Sequence, residues 1–324
     1  MVKLGVSRIL TSHQPPGLWD SSISILEIDF EPRPIFEDIS IIIPTLGRDI
    51  LEQSLTRIIK GSAWPGCLII VNQGSYDKVD RWLKYLQSIG IMVKHIRSDQ
   101  RGRSAGINRG LEQVETSLFA ITDDDCFVDD RWLENMANKL RQNPGAIITG
   151  RVEAAGEEML LVVTSREPAE YHKPRLKFDS MSGGNMGTSI SVVKKVGLFD
   201  EDPCLRTAED AEWSYRALRN RFSIRYEPEV CVWHFGWRDP ANREKQYRDY
   251  ALSHGGFYGK YLRRGDLFIF MRVVLHYFRA LRRWVKGSFV GDGDIALIGR
   301  AYFLNLLPGI LAGVRSRYLP GRLS

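Results

Sequence analysis

Three consecutive carboxylates, Asp123-Asp124-Asp125, follow the apolar run Phe119-Ala120-Ile121-Thr122. The run reads as a buried strand of a parallel sheet. Unpaired charge is too costly to bury there. The aspartates therefore mark the strand's carboxyl end, where open α/β sheets place their ligands. Like charges this close favour a counter-cation, and hard oxygen ligands suit Mg²⁺ or Mn²⁺ shared with substrate phosphates. A solvated acidic turn leading into a helix near Asp130 would use the same residues.

Other chemically suggestive groups lie downstream. Glu209 and Asp210 open a helix, where acidic residues also serve as ordinary partners of the helix dipole. Ser182-Gly183-Gly184-Asn185-Met186-Gly187 reads as a flexible turn where backbone can approach a ligand closely. His234 ends an apolar strand.

The elements that position these groups alternate. Ile39–Ile43 is a strand stopped by Pro44, then the turn Thr45-Leu46-Gly47-Arg48, then a helix capped by Asp49 with Leu51, Leu55, Ile58 and Ile59 on one face. A strand at Cys67–Val71 ends in Asn72-Gln73-Gly74-Ser75. A helix with Val79, Trp82, Leu83 and Leu86 follows, then a strand at Ile91–Ile96. Gly102–Leu111 is a loop entering a helix. After the aspartates come a helix at Trp132–Leu140 and a strand at Ala146–Val152. This alternation predicts an α/β fold: a three-layer α/β/α sandwich around a mostly parallel sheet. The pattern weakens over Glu153–Met181. Short strands are expected at Ser223–Tyr226 and Val230–Trp233, and one more near Ile23–Ile28.

The chain has 324 residues, of which 44% are hydrophobic and 26% charged, as in an ordinary globular protein. Cys67, Cys126, Cys204 and Cys231 are scattered, so neither a disulfide frame nor a zinc site is expected. Residues 1–35 lack a signal-peptide pattern, and a cytoplasmic protein is expected. From Gly236 to Ser324 there are 16 Lys and Arg against 6 Asp and Glu, so the net charge of +6 arises in the C-terminal quarter.

Taken in order, several pieces resemble the family 2 glycosyltransferases of the GT-A fold. They are Ile41-Ile42-Ile43-Pro44-Thr45, the Gly102…Asn108-Arg109-Gly110 loop, Asp123-Asp124-Asp125, Gly184-Asn185-Met186, Val196-Gly197-Leu198-Phe199-Asp200-Glu201, Glu209-Asp210 and Val232-Trp233-His234. The resemblance spans roughly Ile39 to Trp237. It implies a nucleotide-sugar donor, a divalent metal (Mg²⁺ or Mn²⁺) and inverting transfer to an acceptor hydroxyl on a glycan, a lipid-linked molecule or a small molecule. Asp123-x-Asp125 then matches the DxD motif. Asp125 would hold the metal, with His234 on the metal or the diphosphate, and Asp123 or Asp124 would face the ribose. Pro44 and Thr45 would line the nucleotide pocket, and Asp210 would be the general base. Gly184 and Asn185 would contact the donor, and Glu209 would cap or orient.

Two departures concern the donor. Strand two of the family commonly ends in Asp-Asp-Gly-Ser or Asp-Asn-Gly-Ser. Asn72 and Gln73 stand here, offering amides instead of charge. The arginine often found before the loop asparagine is Ile107, leaving Arg101 or Arg103 to take a phosphate or base contact. Two rival functions remain: a nucleotidyltransferase on a related sheet, and a non-catalytic nucleotide or glycan binder.

These features divide the chain into an N-terminal extension (1–38), a catalytic domain (39–237) and a basic helical region (238–324). Within the last, Leu267–Lys286 carries Arg272, His276, Arg279, Arg283 and Lys286 beside a stripe of Leu267, Met271, Val274, Phe278, Leu281 and Val285. Such a helix either lies on an anionic membrane, here the inner face, or packs its apolar side on the catalytic domain. Ile295–Val314 is long enough to span a bilayer, but Arg300, Asn305 and Pro308 favour an interfacial segment. No nucleic-acid recognition module is visible.

Overall fold

The computed structural model describes residues 24–27, 31–74, 77–155, 163–235 and 242–323. The first part of the chain alternates as its hydrophobic pattern requires: β1 (Ile35–Thr45), α1 (Ile50–Lys60), β2 (Trp64–Asn72), α2 (Asp77–Ser88), β3 (Val93–Arg97), α3 (Arg103–Leu111) and β4 (Leu118–Thr122). There follow β5 (Cys126–Val128), α4 (Trp132–Gln142), β6 (Ile147–Ala154), β7 (Ala169–Tyr171), β8 (Asn185–Ser189), α5 (Ile190–Val196), α6 (Glu209–Arg219) and β9 (Ile224–His234). Three helices close the chain: α7 (Arg243–Leu262), α8 (Leu267–Val290) and α9 (Gly293–Arg315).

The strands form one sheet in the order β3-β2-β1-β4-β8-β6-β9-β5, with β7 against β9. The half from β3 to β4 is parallel, and β8 enters antiparallel to both β4 and β6. Alternating residues serve opposite faces. Ile39, Ile41, Ile43, Leu68 and Ile70 pack with α1, α2 and α4. Ile42, Ile69, Val71, Phe119 and Ile121 pack with α3, α5 and α6. These two cores make the three layers expected.

Several local expectations change. Pro44 does not stop β1: it pairs with Val71, and Thr45 pairs with Asn72. Ile25–Glu27 is a short 3₁₀ turn, not a strand, with Ile25 fully buried; Ile23 and Ile28 lie outside the described residues. The two short strands after α6 are one, β9, whose pairing with β6 shifts register after Gly150. Most consequential is Asn185–Ser189. Its glycine and polar residues suggest a turn, yet it is the strand joining the two halves of the sheet. Its buried polar groups are satisfied: Thr188 Oγ1 donates to Ala146 O, and Asn185 bonds three neighbours.

Helix α6 is buried on both sides. Trp213, Ala217 and Leu218 face the sheet, while Ala211 and Tyr215 face a third core with Phe257, Tyr258, Ile269, Leu306 and Ile310 of the C-terminal helices. Lys260 of α7 reaches the loop after α5, 2.5 Å from Asp200 and 3.1 Å from Asp202, all three being buried. Helix α9 lies against α7 through glycines, because a Cβ at Gly255, Gly259, Gly309 or Gly313 would collide with facing backbone. Among the described residues, α9 is the helix long and apolar enough to cross a membrane. Both its ends are tied to neighbouring helices or to the loop after α5: Arg243 lies 3.4 Å from Asp294, and Ser316 bonds Asp202 and Arg263.

Helix α8 does not pack its apolar stripe on the body. Leu267, Met271, Val274, Phe278, Leu281, Val285 and Phe289 are exposed, with Phe278 at 68% and Phe289 at 87%. Ile269, Val273, Ala280 and Gly287 make the packing face instead. Arg272 is turned inward and buried against Asp179.

Candidate active site

The site forms where β1, β2 and β4 end together. The chain leaves β4 at Thr122, turns through Asp123–Asp125 with Cys126 N–H donating to Asp123 O, and enters β5. Successive side chains in this turn point to different partners. Asp123 accepts from Arg103 Nε at 2.8 Å. Asp124 is buried and accepts from Thr45 Oγ1 at 2.7 Å and from Arg48. Burial pushes the Asp124 carboxyl up, against the pull of Arg48. Asp125 lies 3.6 Å from His234 Nε2. The β5–β9 pairing sets Cys126 opposite His234, which explains why residues so distant in sequence meet.

Asp125, Cys126 and His234 each offer an atom within 4.8 Å of the others. A carboxylate oxygen and an imidazole nitrogen fit Mn²⁺ well and leave room for phosphate oxygens on Mg²⁺. Burial raises the Cys126 thiol far above its ordinary value, so it stays protonated and is no ligand for a hard ion.

On the opposite side, α6 begins with Glu209 and Asp210. Asp210 Oδ2 accepts from Gly183 N–H at 2.9 Å, and Oδ1 from Ala211 N–H at 2.7 Å. Burial pushes this carboxyl up; Arg103 and the Gly183 N–H oppose it, and Asp179 adds to it. Glu209 is buried more deeply. It accepts from Arg103 Nη1 at 2.7 Å, and its other oxygen has no hydrogen-bond partner among the described residues. Burial, opposed by Arg103 and aided by Asp210, pushes it up to about 7. Arg103 thus bridges the aspartate turn and α6. The Gly183-Gly184 pair is tight: a Cβ at Gly183 would sit 2.9 Å from Asp210 Cβ, and one at Gly184 would sit 2.7 Å from Asp123 Oδ2.

The expected residues do not all converge. Thr45, Asp123, Asp124, Asp125, Arg103, Gly184, Glu209, Asp210 and His234 share this region. Asn185 turns away, accepting from Trp132 Nε1 and donating to the carbonyls of Arg151 and Val230, so its amide is spent on the sheet. Gln73 donates to the carbonyls of Gln100 and Gly102, holding the loop before α3. Asn72 is fully buried, with Oδ1 on Gly74 N–H. Pro44 is buried beneath Gly106. Arg101 is exposed, whereas Arg103 is drawn in. Ser75 lies outside the described residues. Arg48 is a site residue that the sequence reading passed over. Its signal was a cation placed just after the first strand, facing an acidic turn.

The mixed sheet of this order, with an acidic turn at the end of β4 and an acidic helix start across from it, has the GT-A fold. Solved structures agree on the fold. The mannosyltransferase PcManGT from Pyrobaculum calidifontis, in complex with GDP-Man and Mn²⁺, superposes with a TM-score of 0.58 at 15% identity, covering 88% of each chain. S. aureus TarS 1–349, in complex with UDP-GlcNAc, gives 0.54 at 13% identity, covering 82% of this chain and 90% of that one. The glucosyl-dolichyl phosphate glucuronosyltransferase of Haloferax volcanii is 24% identical over 115 residues, which is 35% of this chain and 37% of that relative. Residues 40–197 match the family described as Glycosyl transferase family 2. That segment, just under half of the chain, is similar to the family, and the chain spans little more than a third of the length of the curated relative. Asp210 and His234 lie beyond the matched segment.

Proposed function

We propose that this enzyme is a metal-dependent, inverting transferase that moves a sugar from a nucleoside-diphosphate donor to an acceptor hydroxyl. One observation carries the reading: Arg103 bridges Asp123, in the turn that carries Asp125 toward His234, and Glu209, the neighbour of Asp210. Asp125 and His234 would hold Mg²⁺ or Mn²⁺, which neutralises charge growing on the departing diphosphate. Asp123, Thr45 and Arg48 set the shape of the donor side, the last two by locking Asp124. Asp210 is the general base. Its elevated carboxyl is a better proton acceptor, and the Gly183 N–H fixes one of its oxygens. In the step, the acceptor oxygen bonds the anomeric carbon and the bond to the diphosphate breaks. The hydroxyl proton passes to Asp210, and configuration inverts.

The neighbours' donors differ, and Asn72 and Gln73 are occupied structurally, so the base is left to experiment. Panels of UDP- and GDP-sugars with Mn²⁺ or Mg²⁺ test the reading by donor hydrolysis and nucleotide calorimetry. Asp125→Ala should abolish the metal dependence with most of the affinity. Equal nucleotide affinity with and without metal in the wild type would remove the metal role.

The surface of α8 and α9 supports a second element of the reading: the enzyme rests on an anionic membrane. Beside the exposed stripe of α8, α9 exposes Leu304, Leu307 and Leu311. The ties at both ends of α9 favour lying on the bilayer over crossing it.

A further inference from the structure

Helix α8 has three faces. One packs inward, one is the apolar stripe, and the third carries Arg272, Arg279, Arg283 and Lys286. That third face meets the segment His172–Asp179, which is itself basic: Lys173, Arg175 and Lys177 are all exposed. Arg279 donates to Lys177 O and Arg272 grips Asp179, so helix and segment form one rim. Its charge is unbalanced. Asp179, a carboxylate that acts on Arg279, is already taken by Arg272 and by His254 at 3.4 Å. Among the described residues no carboxylate pairs with Arg175, Lys177, Arg279 or Arg283. Burial is the first cause that lowers the Arg279 guanidinium, and the crowding cations Arg283 and Arg272 add to it. Such crowding is relieved by an anion. From Asp179 the chain runs only four residues to Gly183, whose N–H holds Asp210. Asp179 also acts on the Asp210 carboxyl directly, so the rim adjoins the base.

We infer that Arg279 and Arg283, with Lys177, form a phosphate site for the acceptor: an amphiphile whose hydrocarbon rests on the α8 stripe and whose phosphate or diphosphate sits beside the accepting hydroxyl. This rests on the transferase reading above and names its acceptor class. The phosphate fixes the depth of the headgroup, so the hydroxyl arrives at Asp210 while the chain stays in the bilayer. Arginine suits the task, since its planar fork binds phosphate oxygens in pairs.

The probe is dodecyl phosphate below its micelle-forming concentration, titrated calorimetrically into the full chain, with dodecyl maltoside as the uncharged control. One equivalent of the phosphate should bind, and the maltoside far more weakly. Arg279→Gln/Arg283→Gln should weaken phosphate binding by about tenfold or more, and Lys194→Gln, on α5, should not. Arg283→Gln alone carries the test if Arg279 proves necessary for folding, since Arg283 has no hydrogen bond among the described residues. Equal binding of both amphiphiles, or undiminished binding by the variants, overturns the site. Binding confined to phosphatidylglycerol vesicles, with none to the monomer, also overturns it and makes the rim a headgroup contact. Nucleoside diphosphate with Mn²⁺ is titrated into the same samples. If it binds while the amphiphile does not, only the acceptor site falls; if it does not bind, the transferase reading falls with it.

Discussion

Neighbouring carboxylates in this protein have divergent roles because their backbones aim them apart. Asp210 faces Gly183, and Glu209 faces the interior. Asp210→Asn keeps the shape and can still accept a hydrogen bond, but it takes no proton at neutral pH. Transfer should fall by ~10²–10⁴-fold, with nucleotide binding nearly unchanged. A capping role predicts near-normal activity instead, since Asn caps as well as Asp. Glu209 gives a stability signature. Its folded value of about 7 exceeds an unfolded value of about 4.3. The stability it adds when protonated is full below the unfolded value and is lost as pH rises through the folded one. Glu209→Gln stays neutral, so its denaturation midpoint should gain on the wild type as pH climbs from about 5 to 8. A constant gap across that range would mean that Glu209 is ionised throughout.

Among the elements, legibility followed hydrophobic content. β1, β2 and β4 carry the apolar runs Ile41–Ile43, Leu68–Val71 and Phe119–Ile121, buried on both faces, and such runs announce themselves. β8 does not: Asn185-Met186-Gly187-Thr188-Ser189 is stabilised by side-chain hydrogen bonds whose partners, Trp132, Val230 and Ala146, come from α4, β9 and the turn before β6. No local pattern encodes those partners. The site was legible for a similar reason in reverse. Charges at the ends of strands and helices stand out, so Asp123–Asp125, Glu209-Asp210 and His234 were singled out, and the fold gathers them in one region. Arg48, Asp179 and the inward turn of Arg272 were not, because pairing depends on tertiary placement. The apolar stripe of α8 was visible, but its periodicity could not say which face the body would claim. Lys260 illustrates the energetic side. Lys260→Met leaves Asp200 buried without its cation and should cost about 3–5 kcal/mol, read as a fall in the urea midpoint. A loss under 1 kcal/mol would show that Asp200 is protonated in the fold.

Across the whole molecule, charge and apolar surface fall on the same C-terminal helices. If they seat the enzyme on a bilayer, co-sedimentation with phosphatidylglycerol vesicles should occur at low salt and weaken as salt rises. Phe278→Asp, at an exposed position, should reduce it by more than about tenfold without lowering thermal stability. Undiminished binding by Phe278→Asp would move the contact elsewhere.

Helix α6 is the inner wall of two cores at once, with Trp213 on one side and Tyr215 on the other. Neither half of the molecule can melt without uncovering the other. A calorimetric scan should therefore give one endotherm, with its van't Hoff and calorimetric enthalpies equal. Nucleotide bound where β1, β2 and β4 end should shift that whole transition upward, and amide exchange should slow in α7 and α9, far from the ligand, as much as in β1 and β4.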